Sequence, residues 1–413
     1  MALVGGPGVY AFGDEEREQL LDVMSGGHLY RYGLENDPNF KRKVITLEKE
    51  FAAYIGRKHA VAVTSGSSAL INCMAVLGIG PGDEVIVPGY TFAASIGTVV
   101  WSRAIPVFAE IDESLTMDPD DIEKKITERT KAIIPVHMLG NPCDMDRIMA
   151  IAKKHNLFVI EDCCQCVGGS YKGKMVGSIG DIAAYSLNHY KTITCGDGGM
   201  VVMDDDDMYE TSFGVMDHGH KPLRTGVEIG RRNLIGINMR MNELQGAVAL
   251  AQLRKLPAIV EELRRKKTKL KNLIKDIPDI GFRKLNDESG ECNTGLTLLM
   301  KDKESAEKLG EILGVKPIAY SGWHVYNNME NILEKKTYTK INCPFTCPYY
   351  GQEVEYKKHM LPQTDAILDR AINISVGVVD AGLGAGFGIN LHSTDEEIEN
   401  VANKIREAFE KIK

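Results

Sequence analysis

From residue 59 onward, short runs of consecutive apolar residues alternate with longer stretches whose apolar positions recur every three or four places, about thirty residues per pair. The runs at 60–63, 84–87, 106–111, 132–137 and 158–161 read as buried strands. Those at 67–77, 92–103, 118–127 and 144–155 read as helices, the last two opening on an Asp that can cap a helix N-terminus. Strands apolar on both faces belong to a mostly parallel sheet covered by helices on both sides. Two further apolar runs, 182–187 and 200–203, flank the glycine-rich stretch 196–199. The alternation predicts the α/β fold class.

After Asn242 a long helical pattern runs through Leu253 and, beyond Pro257, through the strongly charged 261–275. This shift divides the chain into 1–256, an N-terminal segment with a large α/β domain, and 257–413, a linker helix with a smaller α+β domain. The second part has a strand pattern at 295–300, a helix at 304–313 and an amphipathic terminal helix at 395–412. The polar, glycine-containing stretch 216–233 is either a surface loop or an active-site flap.

Charge narrows the partners. Lys and Arg number 49 against 57 Asp and Glu, a net charge of −8, which offers nucleic acid no general attraction. No apolar run approaches the roughly 18 residues needed to cross a bilayer, and residues 1–10 lack a basic, then apolar, leader pattern, so no membrane association and a cytoplasmic location are expected. Nine cysteines spread through a long chain argue against a disulfide framework. Cys163, Cys164 and Cys166 with Cys195, and Cys343 with Cys347, raise the question of a metal. The first group holds one CxxC spacing with no second pair and no His at ligand spacing, so no metal is expected.

Three segments carry the chemistry. Glu161-Asp162-Cys163-Cys164-Gln165 follows an apolar strand, where carboxylates face the ligand crevice of an open α/β sheet. Ser186-Leu187-Asn188-His189-Tyr190-Lys191 sets a single Lys in a turn among small and polar residues. Thr64-Ser65-Gly66-Ser67-Ser68 lies between a strand and the helix it opens, where N–H groups and hydroxyls can hold an anion. An anion cradle, a carboxylate for a ring nitrogen and an amine for an aldehyde are what a pyridoxal 5'-phosphate site requires.

In this order, with residues 80–88, 90–92, 131–137, 196–199 and 238–243, these segments resemble the DegT/DnrJ/EryC1/StrS family of sugar aminotransferases, of pyridoxal-phosphate fold type I; the resemblance covers roughly 47–256. It implies that Lys191 is the Schiff-base lysine, Asp162 the partner of the pyridinium nitrogen and Gln165 a donor to the ring hydroxyl. Gly66, Ser67 and Ser186 would contact the phosphate, and Phe92, with Tyr90 next in line, would stack on the ring. Asn238 would reach the phosphate of a neighbouring subunit, implying a homodimer with shared active sites. Glutamate would be the amine donor and a carbonyl sugar the acceptor. Relatives with His in place of the lysine are sugar dehydratases; this chain keeps Lys191, and only His189, two residues earlier, speaks for dehydration.

For the acceptor, residues 28–32, 110–115, 191–199, 217–220, 323–328 and 364–370 resemble the branch that makes 8-amino-3,8-dideoxy-manno-octulosonate, an amino form of the lipopolysaccharide sugar Kdo. That resemblance implies an 8-oxo sugar acid, whose carboxylate calls for cations; Arg31, Arg231, Arg232, His218 and His220 are the candidates. Residues 343–347 and 381–388 depart from the branch, and a nucleotide-linked keto-sugar is the alternative.

Overall fold

The structure is a computed structural model and describes residues 4–222, 232 and 234–412. The apolar runs become seven strands of one sheet: β1 (His59–Val63), β2 (Glu84–Pro88), β3 (Ile105–Ala109), β4 (Thr130–Ile133), β5 (Phe158–Asp162), β6 (Ile182–Ser186) and β7 (Gly199–Met203). Their order is β1-β7-β6-β5-β4-β2-β3. All neighbours are parallel except β7, which runs antiparallel to both β1 and β6. The mostly parallel sheet is the one expected, with nearly every strand residue buried between apolar layers.

Helices fill the crossovers. The ones nearest the strand ends are α1 (Gly66–Val76) after β1 and α2 (Ala93–Trp101) after β2. The pattern at 132–137 overran its strand: β4 stops at Ile133 because Pro135 has no N–H to offer a ladder. The chain there stays extended, with Asp162 N–H donating to Pro135 O (2.9 Å) and His137 N–H donating to Asp162 O (3.1 Å).

One consequence of this topology builds the site. Gly199, at the start of β7, pairs with Val63 at the end of β1 on one side and with Ser186 at the end of β6 on the other. Asp162, at the end of β5, lies opposite Ala184 of β6. The segment at 63–65 therefore emerges at the same sheet edge as those around 162 and 186, about a hundred residues or more further along the chain. A β-carbon on Gly199 would stand 2.3 Å from Ser65 O, so only glycine permits this approach.

The long helix α3 (Glu243–Ile274) is capped by Asn242 and Gln245, which satisfy each other's backbone N–H groups. It runs unbroken through Pro257, which sits exposed on the helix surface. The helix is continuous across the composition change near 256, and its apolar residues on both sides, from Ala249 to Ile274, share one core cluster. Beyond it, β8 (Gly295–Leu299) pairs antiparallel with β9 (Ala371–Ser375), and helices Lys303–Leu313 and Asp395–Ile412 cover the pair. The strand at 371–375 was not among those expected, although Ile372, Ile374 and Val376 alternate with Asn373 and Ser375. Among the described residues no helix is long and apolar enough to cross a membrane.

Candidate active site

At the shared sheet edge lies a cavity of about 550 Å³ whose lining includes Gly66, Ser67, Phe92, Asp162, Gln165, Ser186 and Lys191. The cradle is set by Ser65, which caps α1 by accepting from Ser68 N–H at 3.1 Å. A β-carbon on Gly66 would lie 2.7 Å from Ser186 Cβ and 3.1 Å from Cys164 Sγ, so the glycine keeps the floor of the cradle open. Ser186 Oγ accepts from Asn188 N–H at 3.3 Å and keeps its own hydrogen for the cavity. The helix N-terminus adds partial positive charge at this spot.

Asp162 is 3% exposed. Its Oδ1 accepts from Cys164 N–H at 3.0 Å, and its Oδ2 accepts from Ser95 Oγ at 2.7 Å. Ser95 spends its one hydrogen on the carboxylate and so accepts from Thr91 Oγ1, 2.7 Å away. Both donors to Asp162 are neutral, and a carboxylate so buried calls for a cation as well. Gln165 Oε1 accepts from Leu139 N–H at 3.2 Å, which spends the amide oxygen and leaves the NH₂ to donate. Leu139 holds that N–H in place from a left-handed backbone conformation, φ 51°. Lys191 is half-buried, and its amine forms no ion pair or hydrogen bond among the described residues. Phe92 lies 41% exposed in the cavity and packs on Trp323 and His324, with ring centroids 6.4 and 5.4 Å away. Tyr90, the runner-up for stacking, is wholly in the core. These residues fit pyridoxal phosphate: a glycine-floored cradle for its phosphate, a buried carboxylate lacking a cation for its ring nitrogen, an amide donor for its hydroxyl and an unpaired amine for its aldehyde.

Several expected residues stand elsewhere. Arg31, expected on the acceptor's carboxylate, is 2% exposed and donates to both Glu48 oxygens at 2.9 and 3.0 Å, with Ala62 O and Met216 Sδ taking its other nitrogen. Its charge is spent inside the protein, and the structure corrects that expectation. His218 and His220 follow the helix Asp206–Met216 and do not line the cavity; His218 Nδ1 pairs with Asp217 Oδ1 at 3.1 Å. Asn238 lies exposed beside the same loop, through a bridge between Asp217 and Asn238, and also stays out of its own chain's cavity. Arg231 lies outside the described residues, and Arg232 is exposed. His189 turns away from the cavity, its Nε2 donating to Val4 O at 2.7 Å.

The clustered cysteines disperse onto separate carbonyls. Cys163 faces Glu161 O, Cys164 faces Ala184 O, Cys166 faces Gly140 O and Cys195 faces Asp197 O. Burial pushes the Cys163, Cys164 and Cys166 thiols up. His137, Glu161 and Cys163 do bring one ligand-type atom each within 4.8 Å. There the Glu161 carboxylate already accepts from the N–H groups of Gly177, Ile179 and Gly180 at 2.8, 2.8 and 2.6 Å, and pairs with His137 Nε2 at 3.2 Å.

Sequence reasoning gave no site role to Ser95, Leu139 and Asp380, nor to Trp323 and His324 within the 323–328 segment, all of which line the cavity. Ser95 carried one usable signal, its place in the first turn of the helix that follows Phe92. His324 and Asp380 come from the smaller C-terminal part, and their approach to the sheet edge has no local signature.

A family model described as the DegT/DnrJ/EryC1/StrS aminotransferase family matches residues 13–379. The GDP-perosamine synthase of Caulobacter vibrioides is 40% identical over 245 residues, 58% of this chain and 62% of that protein. The spore coat polysaccharide biosynthesis protein SpsC of Bacillus subtilis is 40% identical over 251 residues, 59% of this chain and 62% of that protein. The chain thus matches less than two thirds of the length of these curated relatives. Among solved structures, a 3-amino-5-hydroxybenzoic acid synthase superposes with a TM-score of 0.77 at 26% identity over 97% of both chains. The DesV protein of S. venezuelae, in complex with a ketimine intermediate, does so with a TM-score of 0.76 at 26% identity over 99% of both.

Proposed function

The chain belongs to the DegT/DnrJ/EryC1/StrS aminotransferase family, and on that premise we propose that it moves an amino group from glutamate to a carbonyl sugar with pyridoxal phosphate as cofactor. The single observation that carries this reading is the convergence of Lys191, Asp162 and the Gly66–Ser186 cradle on one cavity. The cofactor, when bound, supplies an electron sink for the electrons left behind when a C–H proton departs.

The chain's own residues do the rest. The Asp162 carboxylate would hold the ring nitrogen of the bound cofactor and its proton. Ser95 and Cys164 N–H hold Asp162 in place. Gln165 offers its NH₂ to the ring hydroxyl, its orientation set by Leu139 N–H. The unpaired Lys191 amine would take the proton from the donor's Cα as a general base and, as a general acid in the second half-reaction, would give a proton to the sugar's former carbonyl carbon. Across the full cycle the donor's C–N bond becomes C=O and the sugar's C=O becomes C–NH₂.

A shared dimeric site is part of the proposal: Asn238, exposed and outside its own chain's cavity, is free to reach a partner's phosphate. For the acceptor, the branch resemblance favours an 8-oxo-3-deoxyoctulosonate. The GDP-perosamine synthases among the relatives favour a nucleotide-linked keto-sugar, and the internal pairing of Arg31 removes one cation from the octulosonate reading.

The test follows the cofactor's absorbance. Glutamate should bleach the long-wavelength band of the purified holoenzyme, and the true acceptor should restore it, with 8-oxo-3-deoxyoctulosonate and nucleotide-linked keto-sugars offered separately. Lys191→Ala should never show that band. Glutamate leaving the wild-type spectrum unchanged would overturn the aminotransferase reading.

A further inference from the structure

His324 is 5% exposed, yet it lines the cavity. Its Nδ1 lies 2.9 Å from Ser321 Oγ. Ser321 Oγ donates its one hydrogen to Gly382 O at 2.6 Å, so toward the ring it can only accept. That assigns the tautomer: Nδ1 carries the hydrogen and Nε2 carries a lone pair. Among the described residues nothing hydrogen-bonds to Nε2. Burial, and after it the nearby Lys191 amine, pushes the imidazole's pKa down to about 3, so the ring is neutral.

The ring is also fixed in place. Thr91 N–H donates to His324 O at 2.9 Å and Ala93 N–H donates to Trp323 O at 2.8 Å, stitching this segment to the start of α2. The side chain leans on Phe92. A rigid, neutral acceptor thus faces the same space as Lys191.

We propose that His324 Nε2 accepts a hydrogen bond from a hydroxyl of the sugar acceptor and is a specificity-determining residue of this site. The assignment rests on the carbonyl-sugar aminotransferase reading. Glutamate cannot be the partner: it has no hydroxyl, its amine must face Lys191 and the cofactor, and a carboxylate against a lone pair is repulsive. A site built to bond a hydroxyl disfavours compounds without one, because its acceptor is then left unpaired.

The two half-reactions separate this role from a structural one. His324→Phe keeps an aromatic ring against Phe92 and removes the acceptor. In single half-reactions of the holoenzyme, read by cofactor absorbance, the ratio of the sugar rate to the glutamate rate should fall about tenfold in this variant, the worth of one lost hydrogen bond. His324→Gln, which restores an acceptor oxygen, should recover part of the loss. Ser321→Ala leaves the ring in place but frees its tautomer; it should lower the same ratio by a smaller factor, and it serves as the test if His324→Phe fails to fold. Equal losses in both half-reactions, or none, would overturn the assignment alone. A wild-type protein bleached by glutamate but restored by no carbonyl sugar would overturn the underlying reading and this assignment with it.

Discussion

The hydroxyl of Ser95 donates to Oδ2 of Asp162 across 2.7 Å, joining the first turn of α2 to the end of β5. Hydrogen bonds to a charged acceptor are worth about 1.5–3 kcal/mol. Ser95→Ala should therefore weaken pyridoxal phosphate binding by roughly tenfold or more, measured by titrating the apoprotein, and should also leave the buried Thr91 hydroxyl without its partner. Unchanged affinity would mean that Asp162 does not depend on this bond.

Gly66→Ala tests the cradle. The added methyl would sit 2.7 Å from Ser186 Cβ and 3.1 Å from Cys164 Sγ, closing the space that the phosphate is expected to enter. The expected result is a loss of cofactor and phosphate affinity with far-ultraviolet circular dichroism unchanged. Wild-type affinity in the variant would place the phosphate elsewhere.

Arg31→Met separates an internal role from a substrate role. Removing the guanidinium strands Glu48, whose Oε1 would keep only the Ala62 N–H at 2.8 Å. Breaking a buried ion pair by deleting one partner costs about 3–5 kcal/mol, so the melting temperature should fall by several degrees while the KM for the acceptor, assayed well below it, stays put. A raised KM with an unchanged melting temperature would return Arg31 to the substrate.

Asp217 should make the fold acid-sensitive. Burial alone would raise its pKa, but hydrogen bonds from Tyr32 and from His218, together with the Arg240 guanidinium, hold it below the ordinary 3.8. With the folded value below the unfolded one, the unfolded chain takes up the proton first as pH falls. The carboxylate's contribution is thus fully present above its unfolded value and is lost as pH drops through the lowered folded one. Asp217→Asn should be less stable than wild type in urea at neutral pH, and the gap should narrow on acidification below about pH 4. A gap independent of pH would show that the charge is not what matters.

The cofactor side of the site was legible because it is written in local segments. Each of 64–68, 161–165 and 186–191 joins a strand end to the residues that follow it, and strand ends of a parallel sheet share one edge. What those segments could not convey was pairing at a distance. Arg31 read as a free cation because its partner Glu48 lies on the next helix, and burial of that pair is a property of packing. The clustered cysteines raised the question of a metal for the same reason, since only the fold turns Cys163, Cys164, Cys166 and Cys195 toward separate carbonyls.

By itself the sequence determined the α/β alternation, the strand-end positions of Asp162 and Ser186, the cap at Ser65 and the lysine in its turn, since hydrophobic period, capping and glycine placement act over a few residues. Only the tertiary structure decided that Ser95 holds Asp162, that Leu139 orients Gln165, and that a histidine from the C-terminal part lines the cavity. Those roles depend on which donor finds which acceptor across elements far apart in the chain, and in a buried site each polar group must find one.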